Sequence, residues 1–285
     1  MMIRIARYAL FFSAGLLLFG RVSFAQLSPD EVRQLVKDVA YNELQDRERD
    51  SFWKYHMEQK IAGISYSKYQ VETKEGPIFL ILDQDGRPLS DAEEKKEHAR
   101  LEGLLQNPRA LAKNREDHQQ DEERMQRLIA LMPQAFLFEP NGPANGDIIT
   151  LNFKPNPDFR PPTYEARVFH GMAGTIEINQ RLKRFVAMHG KVIDRIDFGY
   201  GLLGYVDKGG NFNIHREQVN ATHWKTDLVD VHVSGHVVLF KSVSKDHHEV
   251  RSDFHPVPVD ISLPEAKHLL DEASQNMAEL QPGSK

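Results

Sequence analysis

Cysteine is absent from the 285-residue sequence. Its absence excludes disulfides, thiolate metal sites, iron–sulfur clusters and a cysteine nucleophile. Positive charge is also in short supply, since 36 basic residues face 41 acidic ones, and the net charge of −5 does not support nucleic-acid binding. Motifs for a zinc protease, a P-loop or a serine hydrolase are missing too. The sequence therefore indicates a globular protein without a recognisable catalytic group, and we predict that it is not an enzyme.

Residues 1–25 have the three-part pattern of a secretory signal peptide. A basic start is followed by an apolar run over 8–19, and Ala25 provides a small residue before a cleavage point at about Ala25–Gln26. The apolar run has about 12 residues, fewer than the roughly 20 that span a bilayer. Gln26 stands where a lipoprotein would carry cysteine. We therefore predict an exported, periplasmic protein that is soluble after cleavage, with no membrane span remaining.

Three helix starts share one capping pattern, in which serine is followed three residues later by glutamate. The first predicted helix runs to about Arg49, and the last one has a clear amphipathic face. The three capping serines are Ser28, Ser90 and Ser262.

The segment 83–127 is rich in charge and poor in apolar residues. This composition predicts one or two solvated helices, which break near Asn107 and Pro108. We interpret the segment as a helical insertion at about 90–130 in a single domain that covers 26–285. The alternative is an arm that binds another envelope protein through 83–127.

Most of the remaining chain alternates between apolar and polar residues, with turn residues between short runs. Strands joined by short turns, rather than by helices, indicate an antiparallel meander. We therefore predict an α+β fold, in which N-terminal and C-terminal helices flank a curved antiparallel sheet of the half-barrel type. The predicted strands are 51–60, 65–74, 77–82, 148–153, 165–171, 175–178, 182–197, 204–208, 211–217, 223–229, 231–242 and 249–257.

Histidines cluster near the C-terminus, and three residues in the predicted strand 231–242 or just before it are metal-ligand candidates. Asp230, His232 and His236 would share one strand face. His232 and His236 would lie about 13 Å apart, too far to bind one ion without a cross-strand partner such as His223 or His255. The alternative is a polar strand face in contact with water.

Gly199, Gly201 and Gly204 match the spacing of a dinucleotide-binding loop. Such a loop must lead into a helix whose N-terminus faces the pyrophosphate. Here a strand and a hairpin turn follow, so the spacing favours a bend in the sheet. No cofactor is predicted.

Aromatic and aliphatic residues are spread along successive predicted strands. They normally fill a core, but a curved sheet with few covering helices can leave an apolar cavity for a hydrophobic ligand such as an acyl chain. The candidates for the wall of this cavity are Trp53, Tyr55, Phe169, Ile176, Ile178, Phe198, Tyr205, Phe212, Trp224, Val231 and Val233.

Six short segments resemble a family of bacterial exported proteins, over most of residues 28–280. In the order of its elements the chain is also similar to the half-barrel of periplasmic lipoprotein carriers and receptors, the LolA/LolB-like fold. That similarity implies a protein that holds lipid or lipoprotein acyl chains without catalysis, and it transfers no individual residue role. The six segments are RPLS at 87–90, QAFLFE at 134–139, FKPNP at 153–157, GMAGT at 171–175, FGYGLLG at 198–204 and FHPVP at 254–258.

Three hypotheses for function follow from the sequence. The first is a periplasmic, non-catalytic binding or carrier protein that holds a hydrophobic ligand such as a lipid or lipoprotein acyl chain. The second is an envelope scaffold with a packed core. The third is a metal-dependent enzyme built on the histidine and aspartate residues of 230–236.

Overall fold

The structure is a computed structural model that describes residues 27–49, 52–61, 63–198, 204–237 and 246–280. Its helices begin with the predicted one, which follows the capping box of Ser28 and Glu31. The predicted break at Asn107 is confirmed, because the Asn107 side chain caps the following helix by accepting from the backbone N–H groups of Arg109 and Ala110. The helices are α1 (Pro29–Arg49), α2 (Asp91–Leu105), α3 (Pro108–Ala135) and α4 (Leu263–Leu280), with a 3₁₀ helix at Glu165–Gly171.

Two antiparallel sheets contain all the described strands. The larger sheet has 11 strands in the order β4-β3-β2-β1-β14-β12-β11-β8-β7-β6-β5, and the smaller has the order β13-β10-β9. The predicted α+β class with a large antiparallel sheet is therefore confirmed. The strands are β1 (Phe52–Ile61), β2 (Ile64–Val71), β3 (Ile78–Gln84), β4 (Arg87–Pro88), β5 (Phe136–Pro140), β6 (Ile148–Pro155), β7 (Met172–Asn179), β8 (Arg184–Val192), β9 (Ile196–Phe198), β10 (Gly204–Val206), β11 (Asn211–Gln218), β12 (Trp224–His232), β13 (Gly235–Val237) and β14 (Asp246–Val257).

The larger sheet has one face that α1 contacts, which we call the inner face. Four buried side chains on one side of α1 pack there against β5, β6, β7, β8 and β11. α2 and α4 cover the opposite, outer face at β2 and β3, where Leu101 and Leu270 are fully buried. The buried residues of the cluster under α1 are Val32, Leu35, Val36, Val39, Ala135, Phe136, Ile149, Leu151, Phe153, Phe159, Ala166, Phe169, Ile176, Ile178, Met188 and Phe212.

α3 crosses the inner face and connects opposite edges of the larger sheet. Near its start, the Asn114 side chain donates to the carbonyls of Glu75 and Pro77, beside the turn before β3. Its last residue, Ala135, leads directly into the edge strand β5. The helix spans about 32 Å between Asn114 and Ala135 at 1.5 Å per residue. Nine strand spacings of about 4.8 Å separate β3 from β5, or about 43 Å in a flat sheet. The sheet therefore curves towards α3.

The edge at β3 is capped by side chains of α2 where a neighbouring strand would otherwise bind. Glu97 accepts a hydrogen bond from the backbone N–H of Ile81 at 3.0 Å, and Arg100 donates to the carbonyl of Phe79 at 2.8 Å. The two side chains also form an ion pair at 2.7 Å. Exposed strand edges bind other strands and promote aggregation, so this pair protects the edge.

Three predicted strands are wrong. Residues 165–171 form a 3₁₀ helix instead, and the Thr163 hydroxyl accepts from the backbone N–H of Ala166 at its start. The predicted strand 182–197 is divided, because β8 ends at Val192 and Ile196–Phe198 belongs to the smaller sheet. The predicted strand 231–242 is divided in the same way, because β12 ends at His232 and Gly235–Val237 belongs to the smaller sheet. Among the described residues, no helix is long and apolar enough to cross a membrane.

We predict that Glu97→Ala lowers the free energy of unfolding by about 2 kcal/mol, because it leaves the Ile81 N–H and the Arg100 guanidinium without their acceptor. Urea denaturation measures this loss, and size-exclusion chromatography should show more self-association at the uncapped edge. Glu94→Ala, on the exposed side of the same helix, is the matched control. Equal stability of the two variants would contradict the capping role.

Candidate functional site

The predicted cavity residues are distributed over three core clusters. Phe169, Ile176, Ile178 and Phe212 lie in the cluster under α1, and Val231 packs against it. Trp53 and Tyr55 form a second cluster with Met57 on β1. The members of both clusters are buried or partly buried side chains in contact with one another.

The third cluster belongs to the smaller sheet and contains Phe198, with Val233 packed against it. Tyr205 lies on β10, where the Arg195 guanidinium stacks 4.0 Å from its ring. Trp224 is half-buried at the start of β12, and its carbonyl accepts from Arg216. The structure thus groups these residues under α1, on β1 and beside the smaller sheet, and Tyr205 and Trp224 belong to none of the three clusters.

A cleft of about 370 Å³ lies beside the C-terminal part of α3. Leu131, Asn156, Phe159 and Arg160 are among its lining residues. None of the eleven predicted cavity residues lines it.

The metal-ligand candidates do not share one strand face. His236 lies on β13, and its side chain is outside the described part of the structure. Asp230 and His232 lie on the exposed outer face, where Asp230 also contacts His248 at 2.9 Å. Hydrogen bonding to Asp246 and the charge of Asp230 raise the pKa of His232. Within the described ranges, no group of three or more histidine, aspartate or glutamate side chains is arranged to hold a metal ion.

A row of polar side chains crosses three central strands on the inner face, and this polar row was not predicted. The Lys68 ammonium on β2 donates to Gln59 at 2.9 Å, and the Gln59 amide donates to Glu249 on β14 at 2.8 Å. Arg251 binds the other oxygen of Glu249 at 2.5 Å, and His247 Nε2 lies 3.4 Å from the carboxylate. We use "polar row" for Lys68, Gln59, Glu249, Arg251 and His247.

The aromatic ring of Tyr55 lies beside the polar row. Its hydroxyl accepts a hydrogen bond from Gln70 at 2.5 Å, and the Arg251 guanidinium lies 5.5 Å from the ring centre. Burial raises the pKa of Tyr55, with lesser contributions from the nearby carboxylates of Glu72 and Glu249. The hydroxyl therefore remains protonated and serves as a neutral hydrogen-bonding group.

The charges of the polar row are unequally paired. Burial alone would raise the pKa of Glu249, but the hydrogen bond from His247 and the charge of Arg251 lower it to about 2. Glu249 is therefore ionised and paired with Arg251. Burial lowers the pKa of Lys68, whose one hydrogen bond within the described chain goes to the neutral amide of Gln59. No carboxylate of the described residues forms an ion pair with Lys68.

The register places the polar row and the apolar cluster side by side on the same face. Phe212 lies opposite Val231 on β12, Val231 lies opposite His247 on β14, and His247 lies opposite Ile61 on β1. Alternation along β1 then places Gln59 on this face as well. On the inner face, the charged residues of the polar row lie on β2 and β14, with the neutral Gln59 of β1 between them. The face is mainly apolar from β12 to β5, where Arg216 of β11 pairs with Glu43 of α1.

The signal for the polar row is present in the sequence but was not recognised. His247, Glu249 and Arg251 are spaced two residues apart along β14, so their side chains point to the same face of the sheet. Finding the row requires the pairing of β1 with β14, which joins Gln59 to a residue 190 positions away. The motif residues 199–203 and the predicted signal peptide lie outside the described residues.

Comparisons with protein-family models, curated proteins and solved structures found no match to this chain.

We predict that Lys68 makes the free energy of unfolding increase with pH in the alkaline range. The pKa of Lys68 is lower in the folded chain than in the unfolded chain, so folding disfavours its charged ammonium form. The charged form therefore lowers the free energy of unfolding at neutral pH. This destabilisation disappears as Lys68 loses its proton, while the pH rises through the lowered folded-state pKa towards the ordinary lysine value of about 10.4. Over that range, wild type should gain stability relative to Lys68→Met. Chemical denaturation at several pH values measures the difference.

The matched control is Lys60→Met, because Lys60 is exposed on the outer face of the neighbouring strand. Its difference from wild type should not vary over the same pH range. A flat difference for Lys68→Met as well would contradict the burial of an unpaired ammonium.

Proposed function

We propose that the protein is an exported, non-catalytic carrier that binds the acyl chain of a lipid or lipoprotein on the inner face. The observation that carries the proposal is the position of α1, which covers the apolar half of that face. Its covering residues, Val32, Leu35, Val36 and Val39, are aliphatic. An acyl chain has the same chemistry and could take their place.

The attachment of α1 supports an exchange of this kind. At the rim of the sheet, Asp38 pairs with Lys183 at 2.6 Å and Asp46 pairs with Arg184 at 2.5 Å. Glu43 pairs with Arg216. Ion pairs that are partly open to solvent contribute little to stability, typically about 0.2–1 kcal/mol each. The two rim pairs therefore fix the position of the helix and are easily broken. The Glu43–Arg216 pair is buried, so it must regain its hydration when α1 moves away.

The free energies of the two occupants are similar. Withdrawing four aliphatic side chains from an apolar site costs about 6–12 kcal/mol at about 1.5–3 kcal/mol each. Burying an acyl chain of about 12 methylene groups gains roughly 10 kcal/mol at about 0.8 kcal/mol per group. A ligand can therefore compensate for the apolar contacts of α1, and the remaining cost of opening is the separation of the buried Glu43–Arg216 pair.

The curvature of the sheet supports the same proposal. The sheet bends towards α3, so the inner face is concave, and a concave apolar surface is the usual form of a small-molecule site. The similarity in the order of elements to periplasmic lipoprotein carriers implies the same activity. The predicted signal peptide and the periplasmic location belong to this proposal.

A disulfide that locks α1 tests the proposal. The Asn42 side chain donates to the Lys183 carbonyl at 3.1 Å, so these positions are close, and the chain has no other cysteine. We expect the mature wild-type protein to bind a fluorescent fatty acid saturably. The oxidised Asn42→Cys/Lys183→Cys variant should lose that binding and regain it on reduction.

The control is a disulfide that spares α1. Glu139→Cys/Asn152→Cys joins directly paired residues of β5 and β6, and it should bind the fatty acid with or without reductant. Lipid extraction and mass spectrometry of protein from its native host would identify the natural ligand. Failure of wild type to bind any acyl ligand would refute the proposal, and unchanged binding by the locked variant would refute the role of α1.

A further inference from the structure

The polar row contains a half-buried cation that forms no direct ion pair with a carboxylate of the described residues. Lys68 is half-buried, with its ammonium 4.7 Å from the centre of the Phe79 ring. One of its three N–H groups donates to Gln59. A desolvated cation without a counter-ion destabilises the folded chain, so its presence on this face calls for a function.

Two further residues of the polar row, Arg251 and His247, have N–H or ring nitrogen groups without a described hydrogen-bond partner. Arg251 directs Nε and Nη2 to Glu249, which leaves Nη1 without a described partner, and its side chain keeps 30% exposure. Nδ1 of His247 is buried without a hydrogen-bond partner in the described structure, although 94% of that side chain is removed from solvent. These groups lie on one face and are not satisfied by their neighbours.

The carboxylates near the row are already engaged. Glu249 accepts from Gln59 and Arg251. Glu72, which also lies near Arg251, accepts from the backbone N–H of Trp53. Glu97 pairs with Arg100 at the β3 edge. Lys68 therefore remains the cation that no described carboxylate neutralises directly.

We propose that Lys68 and Arg251 bind the anionic head group of an amphiphilic ligand whose acyl chain lies along the apolar half of the inner face. This inference rests on the proposed carrier function and specifies the class of ligand. A carboxylate or phosphate oxygen would accept from the free N–H groups of Lys68 and from Nη1 of Arg251. The chain would extend from β14 across β12 and β11 towards the site of α1.

The dimensions of the face fit such a ligand. Five strand spacings of about 4.8 Å separate β12 from β5, so the apolar half is about 24 Å wide before curvature is considered. The polar row begins on the adjacent strand, β14. The head group would therefore contact polar side chains, and the acyl chain would contact the apolar side chains directly beside them. A neutral lipid would leave the Lys68 ammonium desolvated and unpaired.

The experiment compares three ligands that share a 12-carbon chain. Dodecanoate and dodecyl phosphate carry the two anionic head groups, and dodecanol carries a neutral one. Calorimetric titration of the mature protein should show that at least one anionic ligand binds about tenfold or more tightly than dodecanol, because hydrogen bonds to charged groups are worth that factor. The preferred anion identifies the head-group class.

Variants at position 68 assign the effect. Lys68→Met should weaken the preferred anionic ligand about tenfold or more and leave dodecanol unchanged, whereas Lys68→Arg should restore most of the affinity. Lys60→Met, on the outer face, should bind like wild type. Circular dichroism and thermal melting of each variant confirm that the sheet is folded.

The outcomes separate the two proposals. Equal binding of all three ligands, or an unchanged preference in folded Lys68→Met, overturns the head-group assignment and leaves the carrier proposal standing. Absence of binding by all three ligands overturns both.

Discussion

α3 holds the two halves of an open sheet at a fixed separation, and the rest of the structure depends on that constraint. One of its ends is bound near the β2–β3 turn through Asn114, and the other continues into the opposite edge strand. Because the part of the helix between Asn114 and Ala135 is shorter than the flat sheet is wide, the sheet must bend around it. The bend makes the inner face concave, and this concavity is what brings α1, the apolar strands and the polar row to one side of the molecule.

The sequence predicted the local features of this fold well. Serine and glutamate at fixed spacing located the starts of α1, α2 and α4, and Asn107 with Pro108 located the break between α2 and α3. These features depend on residues three or four positions apart, so they are readable without tertiary structure. The antiparallel class was also readable, because turn residues rather than helices separate most of the strands.

Features that depend on contacts between residues far apart in the sequence could not be predicted from local patterns. The segment Glu165–Gly171 has strand-like composition, yet it packs as a 3₁₀ helix against α3 through Ala166 and Phe169. The chain leaves the larger sheet after His232, although the predicted strand 231–242 ran through the turn-type pair Ser234–Gly235. The polar row depends on a pairing between β1 and β14 and was missed for the same reason, although its charged residues already occupied alternate positions.

The pairing of β1 with β14 also has a consequence for the order of folding. These two strands lie in the middle of the sheet but near opposite ends of the chain, with Phe52 opposite Val257. Hairpins such as β7–β8 and β11–β12 can form from local segments, whereas the central pair must wait until the last strand has been made. β1 can pair with β2 early, but it lacks its second neighbour, β14, until nearly the whole chain has been made.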